Sequence, residues 1–253
     1  MKSLDGMSIL ITGGGSGLGL GAAQHFINAG SRVTICGRRA EKIDSAQKTM
    51  GAACCGVVGD ITDDGDRQRI IAAAVAHGGG LHALINNAGN MYRGSITELD
   101  QDRLLDVFNT NVVSGRLLTG LAVPHLIKTE GAVIFLGSIH TRRAFPGASP
   151  YAATKAAVQA LTRVLAAELG EKKIRVNCIL PGAVYTELNQ RAGIFDDDTA
   201  MTRLQSMAPL HALGRIGTEE EIAEAMTYLI CAEWTTGATL DVDGGLGLGL
   251  TDS

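Results

Sequence analysis

Tyr151 and Lys155 stand at i and i+4 in the run Tyr-Ala-Ala-Thr-Lys, which places both side chains on one face of a helix. A free phenol, with a pKa of about 10, cannot act as a base at neutral pH, and a neighbouring ammonium shifts it toward the phenolate. Tuned in that way, Tyr151 can take or give a proton at a reacting oxygen. On its own the pair is better read as part of an ordinary amphipathic helix. Ser138, at the end of an apolar run, offers a hydroxyl able to hold an oxygen atom, although a turn serine also bonds its own backbone.

A second cluster lies near the start of the chain. Ile9-Leu10-Ile11-Thr12 runs into Gly13-Gly14-Gly15-Ser16-Gly17-Leu18-Gly19 and then into a helical stretch. Glycines at such a turn let the backbone approach a pyrophosphate, and the helix start presents N–H groups and the positive end of its dipole. The strict GxGxxG string is absent. GxGxxA matches at 17–22, but its second glycine would already lie inside the helix, so the pattern that fits is Thr12, Gly13, Gly17 and Gly19. A lone glycine string divides evenly between ligand cradle and flexible turn, and the strand–turn–helix setting favours the cradle. About twenty residues further on, a carboxylate would select the ribose hydroxyls of NAD. Here the strand ends in Gly37-Arg38-Arg39, with no acid before Glu41. Guanidinium groups suit a 2′-phosphate, so NADP(H) is favoured and NAD(H) possible.

These residues need elements to position them. Seven short aliphatic runs read as strands: Ser8–Thr12, Arg32–Cys36, Cys54–Val58, Leu81–Asn86, Ala132–Leu136, Arg175–Leu180 and Thr239–Val242. Most are continuously apolar, as parallel strands covered on both faces are. Helical spacing recurs between them, at Leu18–Ala29, Arg67–Ala76, Gln101–Ile127, Tyr151–Leu169 and from about Thr218. The expectation is α/β: one doubly wound Rossmann-type domain over 1–253, with a seven-stranded parallel sheet and helices on both faces. Residues 186–217 form a long connection of the kind that is usually functional or mobile, and Gly244–Leu250 reads as irregular.

Taken together, the chain resembles the classical short-chain dehydrogenase/reductases along essentially its whole length. The resemblance rests on Thr12–Gly19, Asp60, Asn86-Asn87-Ala88-Gly89, Asn111, Ser138, Tyr151 with Lys155, Pro181-Gly182 and Asp243-Gly244-Gly245, in that order. It implies an NAD(P)-dependent oxidoreductase that interconverts a carbonyl and an alcohol by hydride transfer. Tyr151 would be the general acid/base, Ser138 the holder of the substrate oxygen, Lys155 the tuning cation and a partner of the nicotinamide ribose. Asn111, within a long helix, would hold a water in a proton relay. The cofactor would lie on Gly13, Gly15, Ser16, Gly17, Leu18, Gly19, Arg38, Arg39, Asp60, Ile61, Asn87, Ala88 and Gly89. Asp60 would face the adenine amino group, and Pro181, Gly182, Val184 and Thr186 the carboxamide side. Ser138, His140, Tyr151, Met91 and Leu188 are expected to meet the substrate, with Asn90, Tyr92, Arg93, Arg142, Phe145 and the 187–210 loop as further candidates. The alternative activity is 3-oxoacyl-[acyl-carrier-protein] reduction, which would call for a basic docking surface: the Lys128 segment is weakly basic, while Lys172-Lys173 keep the alternative open. A cofactor-binding protein without chemistry would carry a broken Ser/Tyr/Lys set, and this one is intact. A homotetramer, or failing that a dimer, is also implied.

Composition sets the outer bounds. Hydrophobic residues make up 45% and charged ones 19% of 253 residues, which excludes a disordered chain. Of 33 glycines, 12 fall at the phosphate turn, the chain end, Gly89 and Gly182. A net charge of −4 with no long basic block disfavours nucleic acid. No run reaches membrane-spanning length and no secretory leader is legible. Five cysteines without a CxxC read as reduced thiols, and no histidine–carboxylate cluster suggests a metal. A cytoplasmic enzyme with a small-molecule substrate is the expectation.

Overall fold

In the computed structural model, which describes residues 1–186, 202 and 204–249, a single parallel sheet carries the chain. Its strands are β1 (Ser8–Thr12), β2 (Arg32–Gly37), β3 (Cys54–Val58), β4 (Ala83–Asn86), β5 (Ala132–Leu136), β6 (Arg175–Pro181) and β7 (Thr239–Val242). They lie in the order β3-β2-β1-β4-β5-β6-β7, so the connections reverse direction between β1 and β4. Alternation along each strand divides the apolar residues between two cores. Ile9 and Ile11 face one layer with Phe26, Ile134 and Ile179, while Leu10 faces the other with Leu84, Val133 and Phe135.

The helices are α1 (Gly17–Asn28), α2 (Ala40–Met50), α3 (Asp64–Gly78), α4 (Gln101–Phe108), α5 (Ser114–Leu126), α6 (Ser149–Gly170) and α7 (Glu219–Cys231). Their starts follow local chemistry. Asp63 and Asp100 accept from the Asp66 and Arg103 amides at 2.8 Å, and Thr218 forms a reciprocal capping box with Glu221. Gly79, at φ +68°, ends α3 in the left-handed conformation. At the other end of α7, buried Arg175 from β6 donates to the carbonyls of Leu229, Ile230 and Ala232 at 2.5–2.9 Å. It thereby satisfies acceptors that the helix leaves open.

The expected strands recur within about two residues, but the expected helix over 101–127 is interrupted. A π-helical turn, Asn109–Val113, separates α4 from α5. Gly244–Leu248 is also more ordered than expected. The Asp243 carboxylate accepts from the Gly245 and Gly247 amides, and Leu246 is fully buried against Ile139, Ala183 and Leu204.

Candidate active site

A cleft opens along the carboxyl edge of the sheet at the β1/β4 reversal, the place where open α/β sheets take ligands. Thr12 and Asn87 tie the two strand ends together at its floor. The Thr12 hydroxyl accepts from the Asn87 and Ala88 amides at 3.1 and 2.9 Å, and Asn87 Nδ2 donates to the Thr12 carbonyl at 2.8 Å. Gly13 has φ +67°, and a Cβ there would stand 3.0 Å from the Ala88 Cα, so neither conformation nor space admits a side chain. Ser16 precedes α1 without capping it, and its hydroxyl accepts instead from Arg39 Nη2 at 2.9 Å. The first turn of α1 holds no acidic residue, so its amides and dipole are arranged for an anion. Arg38, Arg39 and Lys42 line the far end of the cleft. Arg38 lies 3.7 Å from one Asp60 oxygen, while the other accepts from the amide and hydroxyl of Thr62. A glycine cradle, an uncapped helix start and a cationic end fit a dinucleotide.

Ser138, Tyr151 and Lys155 meet at the other end, all nearly buried. Ser138 follows β5 and starts a short helical turn over Ile139–Thr141, its hydroxyl accepting from the His140 amide at 3.3 Å. Its Oγ is also 3.0 Å from His140 Nδ1. α6 begins with proline in its first turn and presents Tyr151 and Lys155 inward. Burial pushes the Tyr151 phenol up to about 12, against the opposing pull of a hydrogen bond from Ser138. Lys155 donates to the Leu136 carbonyl at 2.7 Å, and burial brings it down to about 8. The expected lowering of the phenol by its ammonium does not appear: desolvation dominates, and the pull against it comes from the Ser138 hydrogen bond. Nζ stands 5.5 Å from the centre of the tyrosine ring. The phenol in this cleft is a protonated acid at neutral pH.

A family model described as "Enoyl-(Acyl carrier protein) reductase" matches residues 13–247. The chain is 33% identical to bovine (Bos taurus) "Dehydrogenase/reductase SDR family member 4", over 96% of this chain and 88% of that one. The chain is a short-chain dehydrogenase/reductase. As such it is an NAD(P)-dependent oxidoreductase. It is also 32% identical to the L-fucose dehydrogenase of Bos taurus, over 96% of this chain and 90% of that protein. Among solved structures it superposes on a 3-ketoacyl-(acyl-carrier-protein) reductase from Brucella melitensis complexed with NADH. That match has a TM-score of 0.87 at 30% identity and covers 97% of this chain and 100% of the other.

In this short-chain dehydrogenase/reductase the cleft brings together nearly all the residues expected to bind cofactor. Gly19 is an exception: it lies in α1, where a Cβ would meet Asn87 Nδ2 and the Gly13 carbonyl at 2.5 Å, so it allows close packing beneath the turn. Asn111 does not line the cleft either, since the π-helical turn directs its carboxamide into a different network. Nδ2 donates to the Asn90 carbonyl and to Thr154 Oγ1 at 2.9 and 3.0 Å, and Oδ1 accepts from the Asn90 amide at 2.9 Å. Asn90 is thus part of the Asn111 network.

Of the substrate candidates, Met91, Arg93, His140 and Phe145 line the cleft. Tyr92 is buried, with its hydroxyl accepting from the Asp100 amide, and Arg142 is paired with Asp241 at 3.1 Å. Leu188 and most of the 187–210 loop lie outside the described residues, but Leu204 and Met207 of that loop reach the cleft. Sequence reasoning missed Lys42 and Thr110. For Lys42 the signal was available: it is a third cation, one helical turn after Arg38 and Arg39.

Proposed function

We propose that this enzyme interconverts a small-molecule ketone or aldehyde and the corresponding alcohol, with NADP(H) favoured over NAD(H) and Tyr151 as general acid/base. The observation that carries the reading is the meeting of Ser138, Tyr151 and Lys155 at one end of a cleft whose other end is a glycine turn and a cationic cluster. When bound, the nicotinamide supplies the hydride in reduction and accepts it in oxidation. Tyr151 gives its proton to the substrate oxygen as that oxygen gains charge, and takes it back in the reverse direction. Ser138 donates to the same oxygen and holds it beside the phenol. Lys155, fixed on the Leu136 carbonyl, would bond the nicotinamide ribose, and the proton that Tyr151 gives up would be replaced from solvent along a relay past Lys155. Asn111 supports that path as a positioning residue by holding Asn90 and the Thr154 hydroxyl, which in turn donates to the Tyr151 carbonyl at 2.7 Å.

Arg38 and Arg39 favour the 2′-phosphate of NADP(H), with Asp60 and Ile61 beside the adenine and Val184 and Thr186 on the carboxamide side. The 3-ketoacyl-carrier-protein alternative draws on the Brucella melitensis neighbour. It is disfavoured by the thin basic surface, since Lys173 is paired with Glu130 at 2.7 Å. A single-domain homotetramer in the cytoplasm completes the reading. Apolar residues exposed on α4, α5 and α6 support self-association, and five free cysteines support a reducing compartment. The test is a panel of carbonyl compounds with either reduced cofactor, beside thermal shifts with each. NADPH consumption and a larger shift with NADPH are expected; equal shifts or no turnover across the panel would overturn the reading.

A further inference from the structure

We propose that His140 is a positioning residue for Ser138, donating a hydrogen bond from Nδ1 to the serine oxygen and so aiming the single serine hydrogen at the reacting oxygen. The inference rests on the reading of Ser138 and Tyr151 given above. A hydroxyl has one hydrogen to give and room to accept two. At Ser138 one acceptor site is taken by the His140 amide, at 3.3 Å, and Nδ1 of the same residue lies 3.0 Å from the oxygen. If Nδ1 were unprotonated, the serine hydrogen would have to point at it, leaving nothing to donate toward Tyr151 or a substrate. With the hydrogen on Nδ1, both acceptor sites are filled by His140. The serine hydrogen is then left for the phenol side of the cleft. Two donors on one oxygen also polarise its remaining O–H, making it a stronger donor.

The surroundings hold the imidazole to this task. Its ring lies 4.4 Å from the Phe145 ring at 35° and meets the Tyr151 ring edge-on at 5.2 Å. Turning the ring over would exchange Nδ1 for a carbon and lose the bond. Burial first, then the charges of Arg93 and Lys155, bring the imidazole down to about 4, so it is neutral and carries one N–H. In the sequence His140 was legible as a substrate-side residue, but not as the group that decides which way the Ser138 hydrogen points.

The substitutions His140→Asn, His140→Gln and His140→Phe separate this role from packing. The Asn amide nitrogen branches from the same carbon as Nδ1 and can donate to Ser138, the Gln amide stands one bond further out, and Phe keeps the ring but has no donor. His140→Phe is expected to lower kcat for carbonyl reduction about 10–100-fold, the range for removal of an orienting partner. The KM for cofactor and the Tm should stay in place. His140→Asn should recover most of the loss and His140→Gln little of it. Wild-type kcat in His140→Phe, or equal losses in the Asn and Phe variants with lowered Tm, would overturn the inference. Tyr151→Phe, run alongside, separates the two readings: its continued turnover sinks the proposed mechanism. An inactive Tyr151→Phe beside a fully active His140→Phe sinks only the role of His140.

Discussion

Desolvation and the Ser138 hydrogen bond pull Tyr151 in opposite directions, and burial wins: the phenol is pushed up to about 12. Donating a proton needs the phenol and taking one needs the phenolate, so the two directions of reaction should respond oppositely to pH. Carbonyl reduction should hold steady at neutral pH and fall in alkali, whereas alcohol oxidation should climb as pH rises. The positive charge of oxidised cofactor helps the second by lowering the phenol. Paired pH–rate profiles on one alcohol/carbonyl couple check this, and reduction that accelerates in alkali would contradict it. At this scale the identities of Ser138, Tyr151 and Lys155 were legible through the family resemblance that the ordered motifs carry, since the i, i+4 spacing alone reads as an ordinary amphipathic helix. Their energetics were not, because spacing reports the neighbouring ammonium and says nothing of the water excluded from the phenol. Tyr92 and Arg142 misled for a related reason: a polar side chain beside a cleft is easily satisfied elsewhere, here by the Asp100 amide and the Asp241 carboxylate.

Elements differ in how far local sequence dictates them. Parallel strands buried on both faces are continuously apolar and bounded by turns, so their extents could be read to within about two residues. The π-helical turn at Asn109–Val113 was invisible because one extra residue in a helical turn leaves no gap in the apolar pattern. It nevertheless sends Asn111 into the bonds that join the loop after β4 to α6. Arg175 was equally hidden: as the first residue of a strand it reads as a solvated end, yet it caps α7 from the side. Replacing it with Met should leave three carbonyls at the end of α7 without their donor and cost about 2–4 kcal/mol. In calorimetry that corresponds to a loss of several degrees, at about 2–4 °C per kcal/mol for a chain of this size. An unchanged Tm would mean that those carbonyls find other partners.

For the whole molecule, the reversal of strand order at β1/β4 collects the glycine turn, the strand-end asparagine and the Ser/Tyr/Lys set into one cleft. Those residues were separated by up to about a hundred and forty positions along the chain. The same architecture leaves Leu105 on α4, Leu117 on α5 and Val164 on α6 at 58%, 38% and 54% exposure. If they meet a second copy, Val164→Glu should convert the proposed tetramer to smaller species in light scattering while the fold persists; an already monomeric wild type would refute the assembly. No helix among the described residues is long and apolar enough to cross a membrane. Relatives of nearly equal identity bear the names of different activities, so overall likeness leaves the substrate to the cleft walls. The central claim is that one phenol carries the proton in this cleft. Its most direct test is turnover of Tyr151→Phe measured beside its affinity for NADPH. Turnover should fall about a hundredfold to ten-thousandfold with NADPH affinity retained. Near-wild-type turnover in that variant would contradict the account.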